Sequence, residues 1–257
     1  MPEDRNVAVT TQYPQRMLNA LDDLAQQTHV PKAHHFRSAL KQFLESQGKL
    51  PRPILDFCQS RVPVIVSART QGHASLPETY ALMALGDHLF PVRLDAYLST
   101  DKTLQAGRVL GQEPFIVLGG PRRNQVSAQV LNMLRDRLPF EMPTASKSRY
   151  ASIVNRETGE RWTPDHAEAE KVSHDFSDYG LLVRAQWDGS GTPLVLCAGC
   201  HAFGTYGAVR ALTERSPLEV LQRLLREKDS NFGAVIQVRV RNFSPEPPMV
   251  VDLAPIV

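Results

Sequence analysis

Two kinds of hydrophobic spacing organise this chain. Near its start, "NVAVTTQYP" repeats every second residue, with Val7, Val9, Thr11 and Tyr13 on one face and Ala8, Thr10 and Gln12 on the other. That is the period of a strand. Pro14 ends it and can open a helix, because its missing N–H would have no partner in a first turn. Met17, Leu18, Leu21, Leu24 and Ala25 then recur at helical spacing, "QTHVPK" interrupts, and "AHHFRSALKQFLES" resumes with Phe36, Ala39, Leu40, Phe43 and Leu44 on its apolar side. Gly48 and Pro51 stop this second helix. One short strand and two short helices cannot bury their apolar faces alone, so the segment calls for a partner. The simplest is a second copy, paired strand to strand.

Beyond residue 50 the pattern changes. "GKLPRPILDF" reads as a connecting element, with two prolines in three residues. "VPVIVSA" (62–68) is a buried type of strand, "PETYALMALGDHLF" a helix and "PVRLDAYL" a further strand. "EPFIVLGGPRRN" runs from a strand into a glycine turn, followed by the helix "QVSAQVLNMLRDRL". Short strands are expected at "YASIVN", "ERWT" and "DYGLLVRAQW". "TPLVLCA" is another buried strand, followed by a glycine-rich turn and the helix "TYGAVRALTE". A last helix, "SPLEVLQRLLREK", has Ser216 as its expected N-cap and Pro217 at the first helical position. "FGAVIQVRVRNF" and "PMVVDLAPI" close the chain as a strand pair. Repeated strand–turn–helix units with apolar strands predict an α/β fold: a Rossmann-like, mostly parallel open sheet with antiparallel additions. The expected organisation is an arm over 1–50, a linker over 51–61 and an α/β ligand-binding domain over 62–257.

The arm carries a resemblance. "VAVTTQYPQRMLNALDDLAQQTHVPKAHHFRSALKQFLES" resembles the ribbon-helix-helix family of DNA-binding proteins across residues 5–48, through its alternating strand, the helix with "LDDLA", the short turn and the helix with "RSALKQFL". The resemblance implies a β-α-α arm that is dimeric and lays a two-stranded ribbon in the major groove of double-stranded DNA. By position, it implies that Ala8, Thr10 and Gln12 face base edges and that Lys32, at the start of the second helix, meets a phosphate. Gln can pair with adenine through two hydrogen bonds, and Thr can touch a thymine methyl.

Composition adds little until it is divided. The chain has 257 residues, 42% hydrophobic and 22% charged, enough for one large domain plus a small one. Its net charge of +2 lies entirely in residues 1–52, which hold seven Lys/Arg against five Asp/Glu. Such an excess permits a polyanionic partner without demanding one. Three cysteines make no disulfide framework, the N-terminus lacks a signal-peptide core, and no apolar run has membrane-spanning length. A cytoplasmic protein without membrane contact is expected.

Ligands in open α/β sheets sit beyond the carboxyl ends of the strands. Two turns fall there. In "LGGPRRN", Gly119 and Gly120 let a ligand approach the backbone, and Arg122 and Asn124 add donors. In "AGCHAFGTYG", Gly199, His201, Gly204 and Thr205 occupy the corresponding place. The glycine spacing there is neither G-x-G-x-x-G nor a P-loop, so nucleotide binding is only weakly signalled.

The same turn contains Cys197-Ala198-Gly199-Cys200-His201, the C-x-x-C-H haem-attachment pattern. Nothing directs export to a haem-loading compartment, and Cys197 ends an apolar strand where a small hydrophobe is the ordinary explanation. A nucleophile elbow centred on Cys200 lacks a later histidine, since His201 is the last of eight, and its base would have to be found among His166, His174 and Asp178. If the domain is catalytic, Cys200, His201 and Asp178 are the candidates. No metal-ligand spacing exists, and no metal or cofactor is expected. The sequence therefore predicts a dimeric DNA-binding regulator with a domain that senses a small anionic or nucleotide-like effector. The alternative is a hydrolase or transferase acting on a nucleotide-like substrate, with the arm used only for dimerisation.

Overall fold

The computed structural model describes residues 15–28, 55, 61–67, 76–89, 92–98, 110–144, 151–165, 175–224, 231–242 and 244–256. By contact, the chain divides into two compact units, Met1–Leu50 and Pro51–Val257. In the first, helix α1 spans Gln15–Thr28, within the stretch where helical spacing begins. Asn19, Asp23, Gln26 and Gln27 form an exposed polar stripe along it. The predicted ribbon strand and second helix, with Ala8, Thr10, Gln12 and Lys32, lie outside the described residues.

The second unit is α/β, built on a mixed sheet. Its strands are β1 (Arg61–Val66), β2 (Arg93–Leu98), β3 (Phe115–Leu118), β7 (Phe176–Trp187), β8 (Thr192–Gly199), β9 (Phe232–Arg241), β10 (Ser244–Pro245) and β11 (Met249–Pro255). The order is β10-β9-β7-β8-β3-β1-β2, with β11 also paired to β9. From β2 through β1 and β3 to β8 every pairing is parallel. From β8 through β7 to β9, β10 and β11 every pairing is antiparallel. Three two- or three-residue strands, β4 (Phe140–Glu141), β5 (Ile153–Asn155) and β6 (Arg161–Trp162), make a separate antiparallel sheet.

The unbroken apolar runs "VPVIV", "FIVL" and "LVLCA" follow from burial on both faces, the condition of parallel strands. On one face, Val64, Val66, Ile116, Leu118, Val195 and Cys197 pack under α2 (Leu76–Leu89) and α4 (Ala202–Thr213), with Leu221 of α5 (Arg215–Leu224) in the same core. On the other, Ile65, Phe115, Val117, Leu194, Leu196 and Ala198 pack under α3 (Gln125–Met133) and the small sheet. Each fully buried aliphatic side chain contributes about 1.5–3 kcal/mol, so alternate residues of the same strands drive both layers together.

Three predicted boundaries move. Helix α5 begins at Arg215, so Ser216 lies inside it instead of capping it. Glu214 already ends α4, its N–H bonded to the Arg210 carbonyl at 2.8 Å, and the next helix starts at once. Pro217 remains in a first turn, where no N–H is needed. Helix α4 starts at Ala202, three residues before the predicted start at Thr205, which places Gly204 in its first turn instead of the loop before it. Helix α3 stops at Met133, and the side chain of Arg156 takes over the following carbonyls, bonding those of Arg135 and, at 2.6 Å, Leu138.

This topology fixes where a ligand can bind. Strand β1 reaches β2 through α2, whereas β3 pairs on its other side, so the strand order reverses between β1 and β3. Helices α2 and α3 cover opposite faces, and it is at the carboxyl ends of strands beside such a reversal that open α/β sheets take their ligands.

Candidate functional site

The turn after β3 is shaped by one glycine and one asparagine. Gly119 has φ +103°, a conformation L side chains rarely adopt. Its N–H donates to the Cys197 carbonyl at 2.9 Å, and its carbonyl accepts from Ser127 Oγ at 2.6 Å. Asn124 is fully buried. Its Oδ1 accepts from the N–H groups of Val126 (3.0 Å) and Ser127 (3.2 Å), capping α3, while its amide donates to the carbonyls of Leu118 (2.8 Å) and Ile65 (3.3 Å). All of these contacts are internal. Asn124 ties the ends of β1 and β3 to the start of α3, which fixes the turn that presents Arg122 and Arg123. Arg122 is half-buried and Arg123 exposed.

The turn after β8 lies directly against it. A Cβ on Gly120 would stand 2.7 Å from the Gly199 carbonyl oxygen, so the two glycine turns meet backbone to backbone. Here the helix cap comes from another strand. His201 is the N-cap residue of α4 without a side-chain cap bond. Asp178 of β7, fully buried, supplies it: Oδ2 accepts from Gly204 N–H at 2.6 Å, and Oδ1 accepts from the N–H groups of Tyr179 (2.8 Å) and His201 (3.2 Å). Burial pushes this carboxyl up to about 7, against the opposing pull of its backbone donors.

The three residues expected of an enzyme are thus close in space but differently employed. The contact from Asp178 to His201 is to the backbone N–H, and the His201 side chain is exposed. The Cys200 thiol is buried, directed 3.9 Å from the Trp162 carbonyl, and burial holds its pKa well above the usual thiol range, reinforced by the charge of Asp178. Cys197 is fully buried and likewise raised by burial. Burial thus disfavours the thiolate form of both, the form a nucleophile or redox centre uses.

Two further residues, without a signature in the sequence, meet the β3 glycine turn. Ser67, directly after β1, is 1% exposed, and its Oγ has no hydrogen-bond partner among the described residues. Glu78, in the first turn of α2, is 7% exposed. A Cβ on Gly119 would stand 2.0 Å from Ser67 Oγ and 2.7 Å from Glu78 Oε1, so both oxygens converge on that glycine. A buried hydroxyl left unpaired costs about 1–3 kcal/mol, and such groups are rare in native folds. The available signal was position alone: a serine ending the first buried strand of a fold whose strand order then reverses.

A groove of about 440 Å³ lies along α3 and the small sheet, bordered by Pro121 of the glycine turn, Leu131, Arg135, Glu141, Met142 and Arg156. That volume falls within the range of small-molecule sites. Among the described residues, no three of His, Cys, Asp and Glu gather as a metal site would require, and no helix is long and apolar enough to cross a membrane.

Fold and site together define an α/β protein with two glycine turns and a buried Ser–Glu pair at the carboxyl ends of its parallel strands. No protein-family model matches the chain, and neither a curated protein nor a solved structure does so.

Proposed function

We propose that this chain is a DNA-binding transcriptional regulator, a repressor, whose Rossmann-like α/β unit senses a small anionic or nucleotide-like effector. The observation that carries the effector site is the meeting of the β3 and β8 glycine turns next to the strand-order reversal, with Gly119, Gly120, Arg122, Gly199, His201, Gly204 and Thr205 in adjoining segments. Binding without chemistry suits the residues present, because the Cys200 thiol is buried and Asp178 is committed to capping α4. The DNA-binding half rests on the ribbon-helix-helix resemblance of residues 5–48 and on the net positive excess of that end. A dimer of arms would present Thr10 and Gln12 twice to a two-fold operator. An effector that prefers one state of the dimer would shift its affinity for DNA.

The test is binding of the full-length protein to duplex from its own upstream region, against random duplex, over a salt series. The regulator predicts sequence-dependent binding that weakens steeply with salt and is lost in Thr10→Ala and Gln12→Ala. Absence of any DNA binding at low salt overturns it. The second reading, an enzyme on a nucleotide-like substrate with a dimerisation arm, is favoured by one observation, the buried Ser67 hydroxyl beside the Glu78 carboxylate. It predicts turnover of a nucleotide, which the regulator does not.

A further inference from the structure

The groove of about 440 Å³ along α3 has two dissimilar walls. On the helix side, Leu131 stands on one face of α3 with its neighbours three and four residues away, and Arg135 carries that face past the helix end at Met133. The small sheet brings Phe140 and Met142, both buried, together with Glu141 of β4 and Arg156, which directly follows β5. Arg156 is held in one orientation, because its Nη2 donates to the carbonyls of Arg135 and, at 2.6 Å, Leu138. These carbonyls would otherwise repel an anion. Of the five N–H groups of a guanidinium, those on Nε and Nη1 stay available, and neutral carbonyls leave its charge uncompensated. Among the described residues, the side chains of Arg135, Arg156 and Glu141 have no ion pair.

We propose that this groove binds a small organic carboxylate with an apolar body, its carboxylate at Arg135 and Arg156 and its hydrocarbon against Leu131, Phe140 and Met142. Charge decides the class. Two guanidinium groups against the one carboxylate of Glu141 leave a single positive charge in excess, which a monocarboxylate balances. A phosphate monoester brings about two negative charges and meets Glu141 as a like charge, whereas an amine meets two like charges. A planar guanidinium also suits the paired oxygens of a carboxylate, and one already held by two carbonyls loses less freedom on binding. The groove is of the size that small-molecule sites occupy, and Met142 can adapt to hydrocarbon of differing shape. This site goes beyond the effector reading, since none of the residues given to the effector lines the groove.

The experiment measures binding of hexanoate and phenylacetate to the full-length protein by calorimetry, with acetate, hexylamine and hexyl phosphate for comparison. Both longer carboxylates are expected to bind, hexyl phosphate more weakly, and acetate and hexylamine not at all. Arg135→Gln removes a charge whose side chain makes no hydrogen bond among the described residues. It is expected to weaken hexanoate by about tenfold with an unchanged melting temperature. Glu141→Gln is expected to tighten hexanoate by about threefold and to narrow its lead over hexyl phosphate, a gain that a merely structural carboxylate would not give. Absence of binding by both hexanoate and phenylacetate up to about 10 mM overturns the proposal. Equal affinity for hexylamine does the same. Hexanoate binding that neither variant alters also overturns it, and leaves an anionic effector at the glycine turns standing, because neither variant changes a residue there.

Discussion

Asp178 and Asn124 are polar side chains at the carboxyl end of the sheet, and both spend their hydrogen bonds on the fold. Two of the three backbone donors on Asp178, the N–H groups of His201 and Gly204, are orphans of the start of α4, here satisfied by a side chain of β7, and the third is the N–H of its neighbour Tyr179. Asp178→Ala leaves them unsatisfied and is expected to cost about 2 kcal/mol in urea unfolding. Because the folded pKa is raised from 3.8 to about 7, the folded state binds more protons than the unfolded state between those values. The stability that Asp178 contributes is therefore fully present below about 4 and declines as pH rises toward 7. The difference between wild type and Asp178→Ala should shrink between pH 4 and pH 8. A difference that grew with pH would mean that the backbone donors outweigh burial.

Residue roles of this kind were hard to read from the chain. Asn124 looked like a ligand donor because it follows two glycines and two arginines, but its partners Ile65 and Leu118 lie on two different strands. Nothing in the local sequence of Asp178 points to a helix that starts 24 residues later. Ser67 and Glu78 lack a local signature for the same reason. Their meeting at Gly119 depends on three separate segments, and no spacing records it.

At the scale of elements, helix α4 is held against the sheet by glycine contacts. A Cβ on Gly204 would lie 2.0 Å from the Tyr179 carbonyl oxygen, and one on Gly180 would lie 2.2 Å from that of Gly204. Both obstacles are backbone and cannot rotate aside. These glycines are thus explained by the approach of helix to strand, without a ligand. Gly204→Ala is expected to destabilise by about 2–3 kcal/mol. Gly189→Ala, in an open turn at φ +82° with nothing within 4 Å, should cost about 1 kcal/mol through backbone strain alone. Equal losses in urea unfolding would show that contact with β7 is not what Gly204 serves.

Elements of this unit were the most legible part of the sequence. Unbroken apolar runs marked β1, β3 and β8, because burial on both faces leaves no polar position to interrupt them. Helix starts were less legible. A cap supplied from another strand, or a predecessor ending one residue earlier, leaves no local signature, and so α4 and α5 both begin before their predicted positions.

At the scale of the molecule, two units divide the work that the account assigns. Residues 1–52 carry the excess charge and the resemblance to a DNA-binding arm, while the α/β unit carries the two glycine turns beside the strand-order reversal. The central claim is that a ligand binds at the carboxyl ends of β1, β3 and β8. Hydrogen–deuterium exchange of the full chain, with and without a saturating mixture of ribonucleoside 5′-monophosphates, tests it most directly. A ligand at this place slows exchange in the segments that end these strands, around 64–67, 116–128 and 197–208. Unchanged exchange there, or protection confined to the antiparallel strands β9 and β11, would contradict it.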